Sequence, residues 1–289
     1  MTIEVVRDTA LLRAAIRTAR LRGARVGFVP TMGALHAGHL SLIDRVRESC
    51  DCVVLSIFVN PLQFAPTDDL SRYPRTEADD LAAAARHGVT IAFVPSAAAM
   101  YDERPVVSVS ADALADVWEG AVRPGHFAGV LTVVCKLFNL VQPDLAVFGQ
   151  KDLQQATLIR AMARDLNFPV VLDVAPIVRE SDGLAMSSRN RYLDPSSRIR
   201  ARGISRALAA MVTAFQAGER GVATLDAIGR EHVPVGEDVR IDYLTIVEPD
   251  RMAQVTTAAM SDSIIAAVKI GTTRLLDNHR LGDPLPVFT

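Results

Sequence analysis

The chain is built on short apolar runs with no alternation of apolar and polar residues, interleaved with stretches of helical period. The runs fall at residues 25–30, 52–59, 89–94, 144–148 and 169–174. Between and before them, residues 8–22, 38–49, 76–87, 129–140 and 151–166 place apolar side chains three and four apart. A strand that is apolar on both faces is buried on both faces, so this pattern predicts a parallel sheet covered by helices on each side, a doubly wound α/β fold. Past residue 176 the texture changes to a polar loop at 180–190, a helix at 195–217, and strand-like runs at 239–247 and 264–270. A first domain over 1–176 and a smaller α+β domain over 177–289 are expected. Neither internal repeats nor low-complexity tracts are present.

With 49% hydrophobic and 22% charged residues over 289 positions, the composition is that of a globular protein with a sizeable core. A net charge of −2 offers no broad attraction for nucleic acid or anionic membrane, so anion binding has to be local. The longest apolar stretch, 130–141, is broken by Lys136 and Asn139, so no membrane span is expected. Residues 1–8 carry Glu4, Arg7 and Asp8 where a secretory signal needs an apolar run, which makes the cytoplasm the expected location. The three cysteines form no CxxC pair and are expected to be reduced, packed thiols.

Parallel sheets bind ligands at the carboxyl ends of their strands, which directs attention to the loops that follow them. The first, 30–39, leaves a strand and enters a helix, a setting in which backbone N–H groups favour phosphate. It contains Met32, Gly33, His36 and His39, and the two histidines, three apart, share one face of the first helical turn. The loop after the 144–148 run carries Gly149, Lys151, Asp152 and, one turn on, Gln155. Only three of the 31 basic residues are lysine, and a cation at a helix start opposes the helix dipole. Lys151 is therefore expected to be a point charge for phosphate. Within 180–190, Met186, Ser187, Ser188 and Arg189 could close over phosphates as a mobile segment. Asn60 and Gln63, after the second run, could orient a small polar substrate. The acidic pairs Asp68/Asp69 and Asp79/Asp80 are candidates for Mg²⁺, as oxygen ligands shared with phosphate. No GxGxxG, P-loop or HExxH motif is present, which argues against dinucleotide, P-loop ATPase and zinc-protease chemistry. An enzyme transferring AMP to a phosphate-bearing acceptor and a non-catalytic nucleotide-binding module remain open: the first needs a basic acceptor pocket, and the second would release no pyrophosphate.

Several separated motifs together resemble the pantothenate synthetase, or pantoate-beta-alanine ligase, family. They are PTMGALHAGH at 30–39, SIFVNPLQF at 56–64, YPR at 73–75, RPGHFAGVLTVV at 123–134, FGQKDLQQ at 148–155, DGLAMSSRNRYL at 182–193 and GTTRLLDN at 271–278. The resemblance implies a Rossmann-like first domain, a C-terminal domain acting as a lid, a homodimer, and ATP-dependent condensation of pantoate with β-alanine through a pantoyl adenylate, assisted by Mg²⁺. It implies ATP contacts from Met32, Gly33, His36, His39, Gly149, Lys151, Asp152, Val178, Met186, Ser187, Ser188 and Arg189. It also implies pantoate contacts from Gln63 and Gln155, and a general-acid role for His39. Position 150 is Gln where the family would more often carry Glu, so a catalytic carboxylate there is impossible.

Overall fold

The computed structural model describes residues 3–65, 68–101 and 105–285. In chain order the elements are β1 (Glu4–Val6), α1 (Thr9–Leu21), β2 (Val26–Thr31), α2 (Ala37–Arg47), β3 (Cys52–Ile57), α3 (Glu77–Arg86), β4 (Ile91–Phe93) and α4 (Ala97–Met100). They continue with α5 (Glu119–Val122), α6 (His126–Val141), β5 (Leu145–Gly149), α7 (Leu153–Asp165) and β6 (Val171–Ala175). The C-terminal elements are α8 (Pro195–Gln216), α9 (Val222–His232), β7 (Val239–Glu248), β8 (Ala253–Gln254), β9 (Ser263–Ile270) and β10 (Thr273–Arg280).

The chain divides into two compact units. The first comprises Met1–Asp116, Arg123–Gly149 and Leu158–Pro176, and the second comprises Val117–Val122, Gln150–Thr157 and Ile177–Thr289. In the first unit six strands pair in the order β1-β4-β3-β2-β5-β6, all parallel, which is the doubly wound sheet that the uninterrupted apolar runs predict. The strands are sandwiched between two apolar layers. One contains Phe28, Phe93, Leu131 and Phe138, and the other contains Val29, Ile43, Leu55 and Val147. Helix starts follow their local chemistry: Asp8 caps α1 by accepting from the amides of Ala10 and Leu11 at 2.8 and 3.0 Å.

The second unit is an antiparallel sheet in the order β10-β9-β7-β8, with α8 and α9 packed over a core that includes Ile204, Leu208, Leu225, Leu244 and Val268. Asp194 caps α8, accepting from the Ser197 amide at 2.7 Å, and Pro195 occupies the first turn, where its missing N–H costs nothing. Two segments expected in the first domain sort instead with the second unit. Gln154 explains the first of them: its side chain accepts from the Glu119 amide at 3.0 Å and donates to the Val117 carbonyl at 2.9 Å. Glu119 in turn pairs with Arg274 of β10, so 117–122 is held to the second unit by buried charge and hydrogen bonds. Cys50 and Cys52 lie in different apolar layers, where burial raises the pKa of each thiol, in keeping with packed and unreactive cysteines.

Candidate active site

In the first sheet the chain steps from β2 to β3 and β4 on one side and then crosses back to β5 on the other side of β2, so the strand order reverses between β2 and β5. The carboxyl ends of strands at such a reversal are where doubly wound folds take their ligands. The loop leaving β2 carries Met32, Gly33, His36 and His39; the chain leaving β5 reaches Lys151 two residues after Gly149.

The β2 loop is held in an unusual shape. Gly33 (φ +81°) and Ala34 (φ 51°) are both left-handed, a conformation that an alanine keeps only under external constraint. The constraint is Asp80 on α3, which is 3% exposed. Its two carboxylate oxygens accept from the amides of Ala34 and Leu35 at 2.9 and 2.7 Å, and Thr76 donates to it at 3.2 Å. His36 then stands at the N-cap of α2 without using its ring to cap the helix. The His36 and His39 rings stack with centroids 4.0 Å apart, both half-buried on the first turn, as their spacing predicts. The amides of Ala37 and Gly38 open that first turn, ahead of the His39 amide, which already donates to the His36 carbonyl at 2.8 Å.

This arrangement changes the reading of the acidic pair. Asp80 was expected to meet Mg²⁺, but its oxygens are committed to backbone amides, and Asp79 is exposed on the outer side of α3. Among the described residues no group of three or more His, Cys, Asp or Glu could hold a metal. Asp79 and Asp80 therefore do not present their carboxylates together to one ion. Asp68 is similarly engaged: Arg123 donates to it at 2.7 and 3.2 Å and the Ala65 amide at 3.0 Å. Burial by itself would raise its pKa, but these hydrogen bonds outweigh burial and lower it. Replacing Asp80 by Ala should orphan two amides, at roughly 1–3 kcal/mol for each buried group. We expect a lower melting temperature and weaker ATP binding, with the Mg²⁺ concentration for half-maximal turnover unchanged. A raised Mg²⁺ requirement in a variant of native stability would restore Asp80 as a ligand.

The β3 loop brings Asn60 and Gln63 together, and separates their roles. Asn60 is 1% exposed and fully engaged. It donates to the Gly129 carbonyl (3.1 Å) and to Gln63 Oε1 (3.2 Å), and accepts from the Leu62 amide (3.3 Å) and the Tyr101 hydroxyl (3.0 Å). Burial pushes Tyr101 up to about 12, which keeps that hydroxyl a donor. Asn60, expected to touch substrate, has its side chain bonded to Gln63, Gly129, Leu62 and Tyr101. Gln63 reaches back to Met32, with Nε2 3.0 Å from its sulfur, while its backbone carbonyl receives Arg123 and His126 Nδ1 at 3.2 and 2.8 Å. This turn fits only because position 129 is glycine: a Cβ there would lie 2.3 Å from the Leu62 carbonyl oxygen.

In the second unit, Lys151 sits in a 3-10 turn (Gln150–Asp152) that precedes α7, with its ammonium 3.5 Å from Asp152 and its side chain 22% exposed. Gln155, on α7, is half-buried and has no side-chain hydrogen bond among the described residues, unlike its neighbour Gln154. The 180–190 segment differs most from expectation. Instead of a polar loop without structure, residues 178–186 form a tight hairpin: the Met186 amide donates to the Val178 carbonyl at 2.9 Å and the Glu180 amide to that of Leu184 at 2.8 Å. Arg198 clasps Glu180 and Asp182, and Asn190 donates to the Ala185 carbonyl at 3.0 Å. Val178 and Met186 are consequently side by side, and Ser187 caps the 3-10 turn that carries Ser188 and Arg189. The network centred on Asp277 and Asn278 of β10, which fastens both segments, was not anticipated. The signal was present as a polar triplet, Asp277, Asn278 and His279, in a strand-length run.

The fold and these loops define a doubly wound α/β protein with stacked histidines at the switch point of its sheet and a lone lysine following the adjacent strand. A family model described as Pantoate-beta-alanine ligase matches residues 4–280. A pantothenate synthetase of Bradyrhizobium diazoefficiens is 50% identical over 96% of this chain and 97% of its own length. One from Acidothermus cellulolyticus is 50% identical, covering 95% of this chain and 90% of its own. The crystal structure of pantothenate synthetase from Thermus thermophilus superposes with a TM-score of 0.92 at 45% identity, covering 96% and 99% of the two chains. That of pantoate-beta-alanine ligase from Francisella tularensis, complexed with Beta-gamma ATP and beta-alanine, gives 0.79 at 29% identity over 98% and 99%. The chain belongs to the pantoate-beta-alanine ligase family.

Proposed function

We propose that this protein joins pantoate to β-alanine at the expense of ATP, forming pantothenate, AMP and pyrophosphate through a pantoyl adenylate. Family membership supports the overall reaction, and the observation that carries the chemistry is the stacked His36–His39 pair on the first turn of α2 at the switch point. A carboxylate approaching a triphosphate is repelled, so the site has to neutralise charge and hold the reactants in line, with little covalent work for side chains. His36, His39, Lys151 and Arg189 are proposed to stabilise the phosphates, with Ser187 and Ser188 donating hydrogen bonds to their oxygens. Met32, Gly33, Gly149, Asp152, Val178 and Met186 would line the nucleotide, and His39 would serve as general acid. Gln63 and Gln155 would hold pantoate; the half-buried, uncommitted amide of Gln155 suits that task. Mg²⁺ would enter on the nucleotide itself. A homodimer and a cytoplasmic location belong to the same proposal and rest on the resemblance, while among the described residues no helix is long and apolar enough to cross a membrane.

The pantoate carboxylate oxygen attacks the α-phosphorus and pyrophosphate departs. The amine of β-alanine then attacks the acyl carbon, loses a proton, and AMP leaves with the bridging oxygen. Pantoate labelled with ¹⁸O in its carboxylate should therefore give labelled AMP by mass spectrometry, and ATP with pantoate alone should release pyrophosphate. Unlabelled AMP alongside pantothenate, or release of ADP and phosphate, would overturn the adenylate route.

A further inference from the structure

β10 holds Asp277 and Asn278 side by side in the interior of the second unit, 4% and 2% exposed. Polar side chains at this depth persist only with partners. Asp277 receives both terminal nitrogens of Arg179 at 2.7 and 2.9 Å, and Arg179 also donates to the Gly183 carbonyl at 3.1 Å, which secures the 178–186 hairpin. Asn278 serves the other segment. Its Nδ2 donates to the backbone carbonyls of Gln150 and Lys151 at 2.9 and 3.0 Å. Its Oδ1 accepts from Gln150 Nε2 at 3.1 Å, which fixes the direction in which the Asn278 amide faces. A short 3-10 turn has few internal hydrogen bonds, so its course is set from outside. Two bonds from one buried amide, one of them to the carbonyl of Lys151 itself, determine where the lysine side chain starts.

We propose that Asn278 is the positioning residue for Lys151, with Gln150 as the lock that orients the Asn278 amide. The proposal rests on the reading of Lys151 as the phosphate-facing charge. It gives position 150 a function that needs an amide and not a carboxylate: the Nε2 donor pairs with Asn278 Oδ1 and leaves Nδ2 for the two carbonyls.

Asn278→Asp is the isosteric test, since it replaces the donor by an oxygen facing two carbonyl oxygens. With circular dichroism unchanged, pyrophosphate release from ATP and pantoate should fall about 10- to 100-fold, chiefly in kcat, as expected when a charged group is displaced by about 1 Å. Preformed pantoyl adenylate with β-alanine should be affected less than about threefold, because that step no longer develops charge on a triphosphate. In a Lys151→Ala background the same change should add less than about twofold, because a residue that acts through Lys151 has nothing left to act on. Gln150→Met, nearly isosteric and on a half-buried side chain, provides a milder arm should Asn278→Asp not fold. Its loss of about 3- to 10-fold should likewise vanish without Lys151. Losses that multiply in the double variants, equal falls in both half-reactions, or a wild-type kcat in Gln150→Met would overturn the positioning role. A Lys151→Ala enzyme that adenylates normally would instead remove the reading of Lys151 on which the proposal stands.

Discussion

Lys151→Ala should fold as the parent does and lose on the order of 10²-fold or more in pantoate-dependent pyrophosphate release, the usual consequence of deleting one donor to developing negative charge. The side chain is available for that role. Its protein partner is Asp152 at 3.5 Å, a loose and partly exposed pair worth little to stability. Its backbone, by contrast, is tied down through Asn278. Removing the ammonium should thus leave the turn intact, and melting temperature and circular dichroism should stay within error of the parent. Adenylation within a few-fold of the parent would show that Lys151 is an ordinary surface charge. The paucity of lysine makes the test clean, because Lys136 and Lys269 are the only others in the chain.

The largest expected loss of stability comes from Asp277→Ala. Arg179 is only 12% exposed in its side chain and Asp277 4%, so removal of the carboxylate strands a buried guanidinium against the carbonyl oxygens of Gly183 and Asn278. Breaking one side of such a pair typically costs about 3–5 kcal/mol, far more than an exposed ion pair contributes. Chemical denaturation followed by circular dichroism should show the loss as a lowered midpoint, and Asp277→Asn, which keeps an acceptor for one guanidinium nitrogen, should recover part of it. A loss under about 1 kcal/mol for Asp277→Ala would mean that water reaches Arg179 and that the pair is not structurally buried.

The sheet was legible in the sequence because its strands are apolar on both faces, and burial on both faces is what a parallel sheet imposes. Its edge was not: β1 is three residues long with Glu4 exposed, and its place beside β4 is set by pairing with that strand, not by any local pattern. β10 escaped for a different reason. Asp277 and Asn278 stand on opposite faces of the strand and are both buried, and that burial depends on Arg179, Gln150 and Lys151, partners about 98 to 128 positions away. In the candidate site the histidine pair could be read from its spacing alone, since helix geometry is local. Asn60 and Asp80 were read as ligand-facing because they are polar residues near strand ends. Only the tertiary structure shows that their hydrogen bonds close on Gly129, Tyr101 and the amides of the β2 loop.

The Asp80 clamp also ties the shape of the β2 loop to the order in which the chain is assembled. The left-handed pair Gly33 and Ala34 depends on a carboxylate that arrives about 45 residues later, on α3. Until α3 has docked, the two carboxylate hydrogen bonds that hold the Ala34 and Leu35 amides are missing. The loop therefore takes its final form only after β3 and α3 are in place. Hydrogen exchange at the Ala34 and Leu35 amides reports the undocking of α3, an event distant in sequence from the histidines yet able to disassemble their platform.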